Sequence, residues 1–243
     1  MPGYDPVRLA ERVEQEVSKP TPEGPARKYW RFRHSHHYGG NAAGDVVGCN
    51  LRCAYCWAWP FAHRTGPGRF YTPGEAARLI AAQGPYRVAR LTGGEPTIAW
   101  GHTRELALIL ARSGRLFVLE TNGILIGAGT IEPRDIPREI LVRISIKAPT
   151  PQSFHKITLA TPQSWHLPLK AAEKLLEHGW TPGKNLRISI ALIPGLRHEY
   201  PTLLEKLEQI NPKLLETLEP EPIKPYKHVL PLLEKRGLKH LFK

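Results

Sequence analysis

Two rhythms of apolar residues alternate along the chain. Short apolar runs of strand length fall at 45–48, 86–91, 115–120, 141–146 and 186–192, with a sixth at 214–218. Between them, apolar residues return every three or four positions. This spacing predicts helices over 5–18, 72–82, 103–113, 162–178, 200–210 and 229–235. In the longest of these the spaced residues are Leu167, Ala171, Leu175 and Leu176. Thr72 followed by Pro73 offers a cap and a first-turn proline for the second helix. Residues 19–43, rich in Pro, Gly, Arg, His and aromatics, carry neither rhythm and read as an ordered arm or loop. Strand followed by helix, repeated, predicts parallel strands joined by right-handed crossovers. Six such units are too few for a closed eight-unit barrel. The expected fold is therefore α/β, a partial (β/α)6 TIM-like barrel over 44–243, preceded by an N-terminal helix and arm over 1–43.

A length of 243 residues suits one large domain. No run approaches the roughly 18–20 apolar residues of a membrane span, and no basic-then-apolar signal segment opens the chain. The expected compartment is the cytoplasm. The net charge of +12 attracts anionic cofactors, nucleic acid or acidic proteins without choosing among them. A single Met and 24 prolines fit a heat-adapted source.

All three cysteines lie in one short stretch, Cys49-Asn50-Leu51-Arg52-Cys53-Ala54-Tyr55-Cys56. Three thiols cannot all pair within one chain, so the loop is read as a ligand set. A closed zinc site needs a fourth ligand, which His63 could supply. A cubane iron–sulfur cluster takes one thiolate per iron, and three thiolates leave one iron open.

The C-x3-C-x2-C spacing, with Tyr55 before the last cysteine, resembles the signature of the radical S-adenosylmethionine (SAM) superfamily. Four further segments follow in the order that family uses: Gly93-Gly94-Glu95-Pro96, Glu120-Thr121-Asn122-Gly123, Ser145-Ile146-Lys147 and Leu192-Ile193-Pro194-Gly195. Each stands at the end of an apolar run, where barrel sites are built. The resemblance implies a [4Fe–4S] cluster on Cys49, Cys53 and Cys56, with SAM on the open iron. It implies reductive cleavage to a 5′-deoxyadenosyl radical, fed by an external one-electron donor such as ferredoxin or flavodoxin. It also implies roles toward SAM for particular residues: the segment Gly93-Gly94-Glu95-Pro96 beside the amino group, with Glu95 helping to fix the local geometry; Glu120, Thr121 and Asn122 beside the ribose; Ser145 and Lys147 beside the carboxylate; Tyr55 and Leu192 beside the adenine. Helix capping is the other reading of Thr121 and Asn122.

Within the superfamily the pattern resembles the small glycyl-radical-activating branch, or an uncharacterised archaeal group. That branch usually carries Asp where this chain has Glu120 and Ser145. The substrate is then a partner protein; the alternative is RNA, a nucleoside precursor or a small metabolite. A 7-carboxy-7-deazaguanine synthase relative is one form of that alternative, against which Trp57-Ala58-Trp59 stands after the last cysteine; the third reading is a non-catalytic iron–sulfur or zinc-binding protein, which leaves the segments after the cysteine loop without a role. Tyr29-Trp30-Arg31-Phe32-Arg33-His34-Ser35-His36-His37-Tyr38 admits three readings: an ordered cover, a substrate grip by arginines and aromatics, or a metal site on His34, His36 and His37.

Overall fold

The computed structural model describes residues 3–243. Nine strands form one sheet: β1 (Ser18–Lys19), β2 (Ala26–Ser35), β3 (Asn41–Val46), β4 (Arg69–Tyr71), β5 (Val88–Thr92), β6 (Leu116–Thr121), β7 (Leu141–Ile146), β8 (Leu186–Leu192) and β9 (Glu219–Pro222). Six of them, β3-β5-β6-β7-β8-β9, pair in chain order and in parallel. This is the partial (β/α)6 barrel. Its first edge is extended by antiparallel β2, which also pairs with β1 and β4.

The helices are α1 (Pro6–Val17), α2 (Trp59–Ala62), α3 (Pro73–Ala81), α4 (Trp100–Arg112), α5 (Ile124–Gly127), α6 (Pro151–Thr158), α7 (His166–Glu177), α8 (Tyr200–Ile210), α9 (Lys213–Glu216) and α10 (Leu230–Lys235). Local chemistry starts several of them. Asp5 caps α1 through the Val7 amide, with Pro6 in the first turn. Thr72 and Glu75 form a reciprocal capping box on α3. The outward faces of the parallel strands, Leu91, Phe117, Leu119, Val142, Ile144 and Ile188 among them, are buried under these helices. Ala10, Val13 and Val17 of α1 join the same core.

The structure corrects several of the expected elements. Much of the supposed arm is the strand β2, and the first barrel strand begins at Asn41 rather than at 45. A register shift between Tyr29 and Arg31 breaks the alternation that would have marked β2. Residues 213–216 are helical, and the sixth barrel strand is Glu219-Pro220-Glu221-Pro222. Two prolines hide it, and both are tolerated because β9 is an edge strand. Helix α6 went unanticipated although Thr150 and Ser153 cap it. The helix expected over 162–178 opens as a 3-10 turn, Pro162–Trp165, before α7.

Candidate active site

The concave face of the sheet is charged, where a filled barrel would carry layers of Val, Ile and Leu. Arg90 on β5 donates to Glu120 on β6 at 2.5 Å and to Asn41 and Ser35 at 3.1 and 3.2 Å. Arg143 on β7 lies 3.6 Å from Glu120 and 2.6 Å from Glu219 on β9. Arg187 on β8 reaches Glu219 at 3.2 Å, and Ser189 donates to Glu221 at 3.1 Å. Tyr38, at the tip of the β2–β3 hairpin with a left-handed backbone, donates its hydroxyl to Glu120 at 2.5 Å. Arg90 is buried and the other charges are half-buried, and each of them is paired.

The cysteine loop, 49–56, follows β3 at the C-terminal end of the barrel. Its backbone is tied down on three sides. The Ala54 amide donates to Ile157 O at 3.0 Å. The Tyr4 hydroxyl donates to Asn50 O at 3.3 Å. Arg236, from the end of the chain, donates to Arg52 O at 2.8 Å and lies over the Trp59 ring at 5.3 Å. His228 bonds Trp57 O, and Phe242 packs against Tyr55. The three cysteines are free thiols. Burial pushes all of them up, Cys56 to about 12, and for Cys49 the nearby Glu95 carboxylate and Cys53 add to the effect. Protonated thiols become ligands only when a metal displaces their protons. Among the described residues, no three His, Cys, Asp or Glu side chains close on a single ion position.

The remaining candidates fall into two groups. Tyr55, Ser145 and Lys147 come together beside the cysteines: Tyr55 donates to Lys147 O at 3.1 Å and Lys147 donates to Ser145 Oγ at 2.7 Å. Lys147 is close enough to Cys53 and Cys56 to counter part of the rise in their thiols. Leu192 closes β8 on the same rim, its carbonyl accepting from Ile223 at 3.0 Å.

The second group binds the chain to itself. Glu95 is buried, and its carboxylate accepts from the Thr97 amide (3.1 Å), the Thr97 hydroxyl (2.7 Å), the Thr121 hydroxyl (2.7 Å) and the Asn122 amide (2.9 Å). Asn122 donates to Asn50 Oδ1 at 2.7 Å and accepts from the Ile124 amide; Thr121 Oγ1 accepts from the Gly123 amide. In this arrangement Thr121 and Asn122 accept from the amides at the turn into α5, and Asn122 holds the cysteine loop through Asn50. Glu120 is likewise occupied, by Arg90, Arg143 and Tyr38. Gly94 approaches the chain itself: a Cβ there would stand 2.1 Å from Gly48 O, whose carbonyl accepts from the Glu95 amide at 2.8 Å. Gly93 has φ +86°, next to Trp30 Nε1 and Asp45 Cβ.

Arg27 was not singled out from the sequence. It is fully buried on β2 and donates to the carbonyls of Glu95 (2.7 Å), Pro96 (2.9 Å) and Ile98, pinning the turn after β5. Burial lowers its pKa to about 10. Nothing local marks it, because its partners lie some seventy positions away.

Residues 45–207 match the model of the radical SAM superfamily. The chain belongs to that superfamily. It is accordingly an enzyme of the radical SAM class, whose cofactors are a [4Fe–4S] cluster and SAM. A 7-carboxy-7-deazaguanine synthase of Methanospirillum hungatei is 32% identical over 114 residues, which are 47% of this chain and 44% of that protein. A structure of TYW1 with a lysine-pyruvate adduct bound covers 95% of this chain and 88% of its own, at TM-score 0.56 and 15% identity. Streptococcus suis SuiB bound to SAM covers 74% of this chain and 40% of its own, at TM-score 0.53 and 17% identity. At these identities the structural likenesses speak for the fold alone. None of these three proteins is named as a member of the glycyl-radical-activating branch expected from the sequence. Among the described residues, no helix is long and apolar enough to cross a membrane.

Proposed function

We propose that this radical SAM enzyme acts on a small anionic molecule held inside the barrel, rather than on a partner protein. The observation that carries this reading is the charge of the concave face. Arg31, Arg33, Arg90, Arg143, Lys147 and Arg187 stand there against Asp45, Glu120, Glu219 and Glu221, which leaves cations in surplus. Tyr38 reaches across the concave face to Glu120, and the C-terminal segment packs on the cysteine loop. A charged concave face narrowed in this way suits a metabolite better than a loop of folded protein. A carboxylated heterocycle, of the kind named for the Methanospirillum relative, is the first candidate.

In this reading Cys49, Cys53 and Cys56 hold the cluster, and Lys147, oriented by Ser145, meets the SAM carboxylate. Tyr55, Gly93 and Leu192 flank the rest of SAM. Glu95, Thr121, Asn122 and Gly94 act by fixing the loop that carries the thiols. When bound, the cluster and SAM supply one-electron cleavage of the sulfonium and a 5′-deoxyadenosyl radical for hydrogen abstraction. The chain contributes orientation and exclusion of water.

The test is anaerobic. Protein reconstituted with iron and sulfide receives SAM and dithionite, and 5′-deoxyadenosine is quantified by mass. Extract of the source cells is split by ultrafiltration into small-molecule and macromolecular fractions. Stimulation by the small-molecule fraction, absent with Cys53→Ala, is expected. Stimulation by the macromolecular fraction alone would overturn the reading in favour of a protein or RNA substrate.

A further inference from the structure

We infer that Arg31 and Arg33 form an oxyanion clamp, which takes the carboxylate or phosphate of the substrate beside the cysteine loop. The inference rests on the small-anion reading above and assigns it a place.

The clamp is built on Asp45. This side chain is wholly buried at the end of β3, and one of its oxygens, Oδ2, accepts from Arg31 Nε at 2.5 Å and from Arg33 Nε at 2.8 Å. Register sets this up. Arg31 pairs with Asp45 across the β2–β3 ladder, and Arg33 lies two residues further along β2 on the same face. One carboxylate therefore draws two like-charged guanidiniums together and neutralises only one of them. The terminal Nη groups of both carry no protein partner among the described residues. Guanidinium forks left open in this way match the oxygen spacing of a carboxylate or phosphate.

The groups beneath the clamp hold it still. Arg31 lies 4.0 Å over the Trp30 ring, which stacks on Phe61 at 4.0 Å. Trp57 lies 5.8 Å from Arg31 and 5.5 Å from Arg33. Cation–π contact and the shared carboxylate offset part of the repulsion between the two arginines. A bound oxyanion would remove the rest.

Two buried polar atoms at the same place have no partner. They are Asp45 Oδ1 and Trp30 Nε1, an acceptor and a donor. A Cβ built on Gly93 would meet Trp30 Nε1 at 3.1 Å and Asp45 Cβ at 3.4 Å. The clamp thus adjoins the turn after β5, and Trp57 directly follows Cys56. An anionic group held there would place the rest of a small molecule toward the interior, within reach of the reacting centre. Both arginines keep a solvent-facing side, with side chains 43% and 25% exposed, so the site is reached without opening the core.

The test is calorimetric titration of the anaerobic, cluster-loaded enzyme, saturated with SAM, with inorganic phosphate and separately with acetate. Saturable binding of at least one is expected. If only phosphate binds, the substrate group is a phosphate; if acetate binds as well, a carboxylate suffices. Arg31→Gln should weaken binding about tenfold, the loss of one charge-assisted contact. It leaves Asp45 paired with Arg33, so the fold is kept. Arg31→Lys should recover part of the loss, since it restores charge but not the fork. SAM affinity should stay within about twofold in both variants, since the clamp is not asked to bind SAM. Absence of saturable binding by either anion, or unchanged affinity in Arg31→Gln, would overturn the clamp. So would a loss of SAM affinity as large as the loss for phosphate. The titration involves no turnover. A clamp that binds phosphate while only the macromolecular fraction stimulates cleavage would leave the clamp standing and remove the small-molecule reading.

Discussion

Glu95→Gln separates a residue that touches a ligand from one that holds the chain together. The substitution keeps shape, so no cavity is made, and it changes only charge and one acceptor. Glu95 Oε1 accepts three bonds, from the Thr97 amide, Thr97 Oγ1 and Thr121 Oγ1, whereas Oε2 accepts one, from the Asn122 amide. The amide oxygen of Gln will take the Oε1 position, because the other orientation would set an NH2 against three donors. Its NH2 then faces the Asn122 N–H, a buried donor against a buried donor, at about 1–3 kcal/mol. The three surviving bonds drop from charged to neutral acceptors, at about 1 kcal/mol each. Burying an amide instead of a carboxylate returns part of this. The net loss expected is about 2–4 kcal/mol of unfolding free energy. Denaturant unfolding of the metal-free protein measures it, with an unchanged slope as the sign that only stability moved. A double-mutant cycle with Thr121→Val should give a coupling of about 1 kcal/mol. A loss below about 0.5 kcal/mol with SAM affinity sharply reduced would refute the reasoning and make Glu95 a ligand residue.

Gly94→Ala forces a Cβ against Gly48 O, a backbone atom that cannot move aside alone. The cysteine loop should shift, and iron bound per chain after reconstitution should fall; full iron loading would show that the loop accommodates it. Arg27→Met leaves the Ile98 carbonyl without its donor inside the core, while Glu95 O keeps the Ile98 amide and Pro96 O keeps the Thr103 hydroxyl; it should cost about 1–3 kcal/mol, with Arg27→Lys recovering part of it. Thermal unfolding of both variants checks this. His102 is fully buried against Tyr29 and Pro25 O, and burial lowers its pKa to about 4 from 6.5. Its unfolded form binds the proton first, so stability rises with pH through that window. The wild type should lose about 3 kcal/mol as pH falls from 6.5 to 4, and His102→Gln should flatten that stretch of the curve.

Much of the barrel was legible because its strands are local events. The runs at 141–146 and 186–192 are apolar on the face under the helices, and their bounds agree with β7 and β8. The concave face was not legible. Arg90, Arg143 and Arg187 each interrupt an apolar run, and in sequence such an arginine reads as a solvated position. Only the sheet's curvature turns these residues toward Glu120 and Glu219. The motifs were legible as a set, but the division of labour within them was not. Thr121 and Glu95 lie far apart in the chain, and their bond at 2.7 Å needs β5 and β6 side by side. Arg27 is the extreme case, a fully buried cation whose reason lies wholly in the turn it holds.

These ties bind the motifs of this chain into one unit. Glu95 joins the end of β5 to the end of β6, Asn122 joins β6 to Asn50, and the Glu95 amide joins β5 to Gly48. The loop carrying the thiols is thus braced from two neighbouring strands by groups that need not touch a ligand. Such bracing matters more here than in a closed barrel. This barrel lacks an apolar core in its lumen, so the packing that would fix strand ends from inside is replaced by paired charges. Charges tolerate displacement poorly: each pair is worth its geometry, and an ångström of drift leaves a buried ion unpaired. A lumen built for an anionic guest therefore needs strand ends locked by other means. The bonds of Arg27, Glu95 and Asn122, made at the turns that follow β5 and β6, provide that lock.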